Sequence, residues 1–280
     1  MKVKGILDAL PFSVTKISVQ RGEAHGSGTG FFLQHSWAGG TKTGDFLVTC
    51  RHVVEGTEKG SIYFHYGEKG QPLLGKTYTL QSGEFSKLWS FPHKPGPDVA
   101  VFPMGRVLGP MKEIQKEIFY PAIPTSTVPT GEQLEQLFSI EEVTFPGYPE
   151  GAYDSVNNLP IVRRGHTASP LSVDFEGRPE FLVDAATFPG SSGSPVVLAN
   201  QGSYTTPTSL LVAGTRFLFL GMIVRTMFKT RDGEIRTDEA PTATDVVYKT
   251  RDYLNIGIVL KASVIVQVLN DVLKAIGESV

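Results

Sequence analysis

The chain has 280 residues, 40% hydrophobic and 19% charged, which is enough apolar surface for one large core or two smaller ones and too much for a disordered chain. Its 26 basic and 28 acidic side chains leave a net charge of −2, so nucleic-acid binding has no general electrostatic support. The single cysteine, Cys50, excludes an internal disulfide and leans towards a reducing compartment.

The first dozen residues carry Lys2 and Lys4 but no useful apolar run. Asp8 interrupts them and no small-residue cleavage site follows, so no secretory signal is read there. Nowhere do about eighteen apolar residues follow one another, as a spanning helix requires. The expectation is a cytoplasmic protein without membrane contact.

The 30 glycines and 19 prolines punctuate short runs rich in Val, Ile, Phe and Thr, the pattern of many short strands. Strands are predicted over Val14–Gln20, Thr29–Leu33, Phe46–Thr49, Ser61–His65 and Val99–Pro103, with His35 to Asp45 as the hairpin tip between the second and third. Next, a helical turn (Lys112–Glu117), then Pro121, Pro124 and Pro129, then a helical piece (Glu132–Phe138) read as a connector. Beyond it come Glu142–Pro146, Ile161–Arg164, Glu180–Asp184, Pro195–Leu198, Phe217–Val224 and Ile256–Leu260. The stretch from Thr226 to Leu254, with Lys229, Arg231, Asp232, Glu234, Arg236 and Asp238, reads as a solvated loop of mixed charge. At the end, Val264, Ile265, Val268, Leu269, Val272, Leu273 and Ile276 recur at helical spacing, with Ser263 placed as cap and Gly277 as stop. The expected division is 1–115, a connector 116–140, 141–262 and a helix 263–280.

Three short stretches carry chemistry. In Pro189-Gly190-Ser191-Ser192-Gly193-Ser194-Pro195, a glycine two residues before Ser192 permits a tight turn that aims the N–H groups of Gly190 and Ser192 at one spot. Taken alone, it reads equally as a Gly/Ser surface loop. His52 ends the apolar run Leu47 to Cys50, and imidazole is the side chain suited to general base work near neutrality. By itself it is a rim histidine. Asp98 precedes the apolar Val99-Ala100-Val101-Phe102, where it can hold a histidine in one tautomer or simply cap a strand.

Together, in the order His, Asp, Ser, these residues are far more specific. The chain resembles trypsin-like serine peptidases of the chymotrypsin fold, most closely the HtrA/Deg-type branch. Asp184 to Pro195 is similar to that branch's nucleophile segment, and Gly26-Ser27-Gly28-Thr29-Gly30-Phe31 to its early glycine-rich strand. Phe145 to Pro149, Arg164 to Ser169, Leu220 to Val224 and Asn255 to Ile258 resemble further strands of the second barrel.

The resemblance implies an all-β fold of two six-stranded Greek-key barrels with a C-terminal α-helix. It also implies an endopeptidase with Ser192 as nucleophile, His52 as base, Asp98 orienting it and the N–H groups of Gly190 and Ser192 as oxyanion hole. Ala186, six before the nucleophile, falls at the floor of the primary pocket, with Phe188 and Val224 nearby, which implies small or medium apolar residues at the cleaved position. A polypeptide substrate and an activating or regulatory protein partner are the implied partners. The six histidines (His25, His35, His52, His65, His93 and His166) lack metal-ligand spacing, so no metal or other cofactor is expected.

Some positions depart from the family's patterns. Ser191 stands where secreted digestive relatives have an aspartate that pairs with a processed N-terminus, so activation by such processing is not expected; HtrA-type relatives often control the oxyanion loop by other contacts, and the resemblance therefore admits a resting form with Gly190 turned away. Ser194 stands where many relatives have glycine, and the chain leaves no room for a PDZ-type domain. Cys50 reads as a packing residue. Two alternatives stay open: a catalytically latent chymotrypsin-fold binding module that needs a partner for activation, and an esterase with the same chemistry.

Overall fold

Alternation decides the N-terminal half. In the first strand, Ile17 and Val19 are buried while Lys16 and Ser18 are only partly covered, the period-two pattern of a sheet with one face on a core. The structure, a computed structural model, describes residues 2–93, 95–149, 152–207, 211–229, 235–239 and 252–280, with the backbone alone for 235–239. Strands β1 (Val14–Arg21), β2 (Ala24–Trp37), β3 (Lys42–Thr49), β4 (Lys59–Glu68), β5 (Gln71–Ser82) and β6 (Ala100–Pro103) follow one path in the order β5-β4-β1-β2-β3-β6. Two short strands, β7 (Glu117–Phe119) and β8 (Ile123–Pro124), add to β4 and β2.

The second sheet contains β9 (Glu142–Gly147), β10 (Ile161–Thr167), β11 (Glu180–Asp184) and β12 (Pro195–Asn200). After a small hairpin of β13 (Ser203–Thr205) and β14 (Leu211–Ala213) come β15 (Arg216–Lys229), β16 (Ile235–Glu239) and β17 (Asp252–Lys261). The order β12-β9-β10-β11-β17-β15, with β15 pairing back to β12, closes a six-stranded barrel, and β16 extends β15 outside it. Val143, Phe145, Phe181, Val183, Val196, Leu198 and Val259 fill a core of their own. The larger core runs from the first sheet to Phe219, Met222 and Leu260 of the second, where Phe31 and Phe219 meet at 5.3 Å.

Among the described residues the α-helices are α1 (Ile6–Ala9), α2 (Arg51–Val54), α3 (Gly105–Glu113), α4 (Gly131–Glu135) and α5 (Ala262–Ala275). Ile265, Val268, Leu269 and Leu273 of α5 are buried as the spacing predicts, but Ile276 is exposed. The N-cap is Lys261, because β17 runs straight into the helix and takes Ser263 inside it. Gly277 does stop it: its N–H bonds the Lys274 carbonyl at 3.0 Å. The helix docks on the β2–β3 hairpin, where His35 Nε2 meets Asn270 Oδ1 at 2.8 Å and Trp37 Nε1–H donates to Glu278 Oε2 at 3.1 Å. Among the described residues no helix is long and apolar enough to cross a membrane.

Other expectations need correction. The helical turn expected over Lys112–Glu117 is displaced: buried Val107 and Met111, one turn apart, draw the helix back to 105–113, while buried Ile118 joins β4 through β7. The piece expected over Glu132–Phe138 shortens to α4, fixed by a capping box between Thr130 and Gln133. Strand β5 escaped the pattern because Pro72 and Gly75 interrupt it. Much of the loop expected from Thr226 to Leu254 is strand: β15 runs on to Lys229, paired with β16 and with β17 from Asp252. Its Arg231, Asp232 and Glu234 lie outside the described residues, as do the side chains of Arg236 and Asp238.

One buried histidine makes stability depend on pH. His65 is 3% exposed, packs edge-on against Phe12 at 5.1 Å, and donates through Nε2–H to the Asn158 carbonyl at 3.2 Å, with Nδ1 unpartnered among the described residues. Burial, opposed only by that hydrogen bond, pushes its pKa below the ordinary imidazole value. The unfolded chain therefore takes a proton that the folded one refuses, and this contribution, complete above about pH 6.5, is lost as pH falls towards the folded value. The urea midpoint should drop between about pH 7.5 and about pH 5.5, and His65→Gln should make that drop shallower.

Candidate active site

Strand β3 stops at Thr49, and the chain turns through buried Cys50 into α2, so His52 sits in a one-turn helix rather than at the strand end itself. The turn is held from outside by Arg21, whose guanidinium donates to the carbonyls of His52 (2.6 Å), Val53 (3.3 Å) and Glu55 (2.9 Å). Asp98 lies just before β6 and accepts two bonds from His52, the main-chain N–H at 3.0 Å and Nδ1 at 2.6 Å. Because a carboxylate only accepts, Nδ1 carries the hydrogen and Nε2 of the neutral ring keeps its lone pair. Burial alone would raise the Asp98 pKa, but the hydrogen bonds from His52, together with the positive charge of its ring when protonated, outweigh that and hold it below the ordinary carboxylate value.

Ser192 lies in two consecutive turns. The N–H of Ser191 bonds the Phe188 carbonyl at 2.9 Å, with Pro189 and Gly190 between them and Gly190 at φ 87°. Proline at the second position and positive φ at the third define a type II turn. The N–H of Ser194 bonds the Ser191 carbonyl at 3.0 Å, with Gly193 at φ 89°, which repeats the pattern. A type II turn reverses its central peptide relative to a type I turn, and so fixes the side on which the Gly190 N–H emerges.

The two segments converge on one carbonyl. Ile223 O accepts from the N–H of Gly193 at 2.9 Å and from Cys50 Sγ at 3.3 Å, so Cys50 bonds as well as packs. Ser192 O accepts from the N–H of Thr29 at 2.9 Å. Ser192 Oγ and His52 Nε2 are both buried and neither has a hydrogen-bond partner among the described residues. His52 and Asp98 are thus in direct contact, and Ser192 is held on the same frame without a Ser192–His52 bond.

The expected pocket residues divide. The Ala186 carbonyl accepts from Arg163, whose guanidinium lies 4.7 Å from the Phe188 ring, and that ring packs edge-on against Tyr253 at 5.8 Å. Val224 belongs to the large core at 1% exposure. Thr187 and Thr226, both buried, join their hydroxyls at 2.8 Å. Arg21, Arg163, Thr187, Thr226 and Thr29 were not singled out by sequence, because nothing in a lone arginine or threonine signals its partner. Donor atoms of Cys50, His52 and Asp98 lie within 4.8 Å of one another, the one such cluster of metal-ligating groups among the described residues; an ion there would compete with the His52–Asp98 bond.

Residues 28–204 match the family described as trypsin-like peptidase domain, a span that includes all three of these side chains. The chain belongs to the trypsin-like peptidase family. No curated protein sequence matches it. Among solved structures it is similar to the HtrA-type protease AlgW with tripeptide (14% identity, TM-score 0.48, 96% of this chain and 62% of that one). It is also similar to the serine endoprotease from Yersinia pestis (13%, TM-score 0.46, 96% and 65%). A third is the active form of the Rv3671c protease from M. tuberculosis (16%, TM-score 0.44, 98% and 85%). This trypsin-like chain therefore spans about two thirds of the first two.

Gly193 offers a direct check on the frame. A Cβ built there would lie 1.8 Å from the Thr29 carbonyl oxygen, on backbone at positive φ. Gly193→Ala should lower unfolding free energy by at least about 2 kcal/mol, read by urea titration.

Proposed function

We propose that the chain is a serine endopeptidase that cleaves polypeptides through an acyl-enzyme. Ser192 Oγ attacks the carbonyl carbon while its proton passes to His52 Nε2, and the resulting oxyanion is held by the N–H groups of Gly190 and Ser192. Collapse expels the amine, which takes the proton from Nε2. Water then attacks the ester with His52 again as base, releasing the acid and restoring Ser192. Asp98 fixes the ring's tautomer and stabilises its protonated form.

The observation that carries this reading is the 2.6 Å bond from His52 Nδ1 to Asp98, which leaves the buried Nε2 lone pair open to accept a proton. The type II turn at Gly190 supports an assembled oxyanion site rather than a resting form with that glycine turned away. For specificity, small or medium apolar residues fit best: Ala186 offers no charge, and the hydroxyls of Thr187 and Thr226 spend themselves on each other. The proposal extends to a cytoplasmic location, no nucleic-acid or membrane partner and no cofactor, with the residues of 1–115 and 141–262 contributing the two halves of the site.

One observation favours the second reading, a latent module that needs a partner: Ser192 Oγ and His52 Nε2 are not bonded to each other. Catalytic hydrogen bonds are often long before substrate binds, so this does not displace the first.

Labelling by a fluorophosphonate, read by intact mass, separates the two. The wild type should take up one equivalent and Ser192→Ala none, with peptidase turnover lowered about 10⁴- to 10⁶-fold in that variant; a well-folded wild type that stays unlabelled would establish the latent module. In a peptide library, cleavage should follow Ala, Val or Leu, and cleavage after Arg or Lys would overturn the pocket assignment.

A further inference from the structure

We propose that the Thr29 hydroxyl is a positioning group for the oxyanion site, setting the Gly190 and Ser192 amides from the opposite sheet. The proposal rests on the reading of Ser192 as nucleophile. Thr29 lies in β2 of the first sheet and is fully buried. Its N–H donates to the Ser192 carbonyl at 2.9 Å, and its Oγ1–H donates to the Gly190 carbonyl at 2.9 Å. The same oxygen accepts the N–H of Tyr148 at 3.0 Å, and the Thr29 carbonyl accepts from Thr49 Oγ1 at 2.7 Å.

Each of these bonds has a direction that matters. The Gly190 and Ser192 carbonyls each lie in the peptide plane that directly follows one of the two amides that would face the oxyanion, 190–191 after the Gly190 N–H and 192–193 after the Ser192 N–H. With both carbonyls drawn towards Thr29, neither of these planes can turn over without breaking a buried hydrogen bond, and each anchors the Cα to which the preceding amide plane is joined; a buried carbonyl left unpaired is costly. The Tyr148 amide leaves the Thr29 hydroxyl its own hydrogen as the only donor, so that hydrogen points to Gly190. Glycine at 147 keeps the approach open, since a Cβ there would sit 3.1 Å from Thr29 Oγ1. The hydroxyl thus links three segments: β2, the end of β9 and the nucleophile turn. Valine, of the same shape, would retain the main-chain bonds and lose only the hydroxyl. Serine would restore it.

Thr29→Val and Thr29→Ser, with melting temperatures as a control on folding, test this. Thr29→Val should lower kcat about 10- to 100-fold, and the fluorophosphonate labelling rate with it, at nearly unchanged KM. Thr29→Ser should recover both. Wild-type kcat in the valine variant, or equal losses in both variants, would overturn the proposal while leaving Ser192 as nucleophile. A wild type that does not label would instead overturn the Ser192 reading. Amide hydrogen exchange over residues 188–194 then decides the positioning role by itself. Faster exchange in Thr29→Val than in Thr29→Ser supports it, and equal exchange overturns it.

Discussion

A tight turn buried between two sheets cannot satisfy its own main chain, and it must borrow partners from the surfaces that enclose it. The segment Phe188 to Ser194 does so on both sides. Thr29 of the first sheet takes the Ser192 carbonyl and Ile223 of the second takes the Gly193 amide. The Thr29 hydroxyl takes the Gly190 carbonyl and the Ile223 amide takes the Ser194 carbonyl, while the Ser191 and Ser194 amides close the two turns internally. Every other feature of the site depends on this arrangement, because it fixes where Ser192 stands relative to a histidine that arrives from the first sheet.

The histidine side is built on charge rather than on main-chain turns. Asp98 receives both the ring and the backbone of His52, and Arg21 secures the carbonyls of the same short helix. A one-turn helix has too few internal bonds to hold itself, so its orientation is set by these two outside residues. Cys50 ties the arrangement together: its sulfur reaches the carbonyl that also receives the Gly193 amide. The segments that carry His52 and Ser192 are therefore fixed against a common atom even though the two side chains do not bond each other.

Much of this was legible in the sequence where the signal is local. Alternation located eleven strands within a few residues, and glycine and proline in Pro189-Gly190 encode a type II turn by conformational preference alone. The order of His52, Asp98 and Ser192 pointed to the chemistry because each residue type has a distinct role there. What stayed hidden depends on pairing across the fold. Strand β5 is an edge strand interrupted by Pro72 and Gly75, so its register comes from β4 and not from its own pattern. Thr29 is one threonine among several in a glycine-rich stretch, and only the packing of the two sheets gives it a partner. Val224, which the resemblance implies near the pocket, stands at a bulge of β15 and belongs to the large core, a placement that follows from pairing with β17 rather than from local pattern.

The docking of α5 carries a consequence for the order in which the molecule is assembled. His35 and Asn270 are 235 positions apart in the chain, and Trp37 and Glu278 are separated by 241. The β2–β3 hairpin is left without the cover of α5 until more than two hundred further residues have been made. Contacts of such sequence separation are slow to close, and transiently bare strands are prone to aggregate. The turn from Phe188 to Ser194, whose Gly190 carbonyl needs the Thr29 hydroxyl 161 positions away, should likewise become ordered only after the two sheets have met.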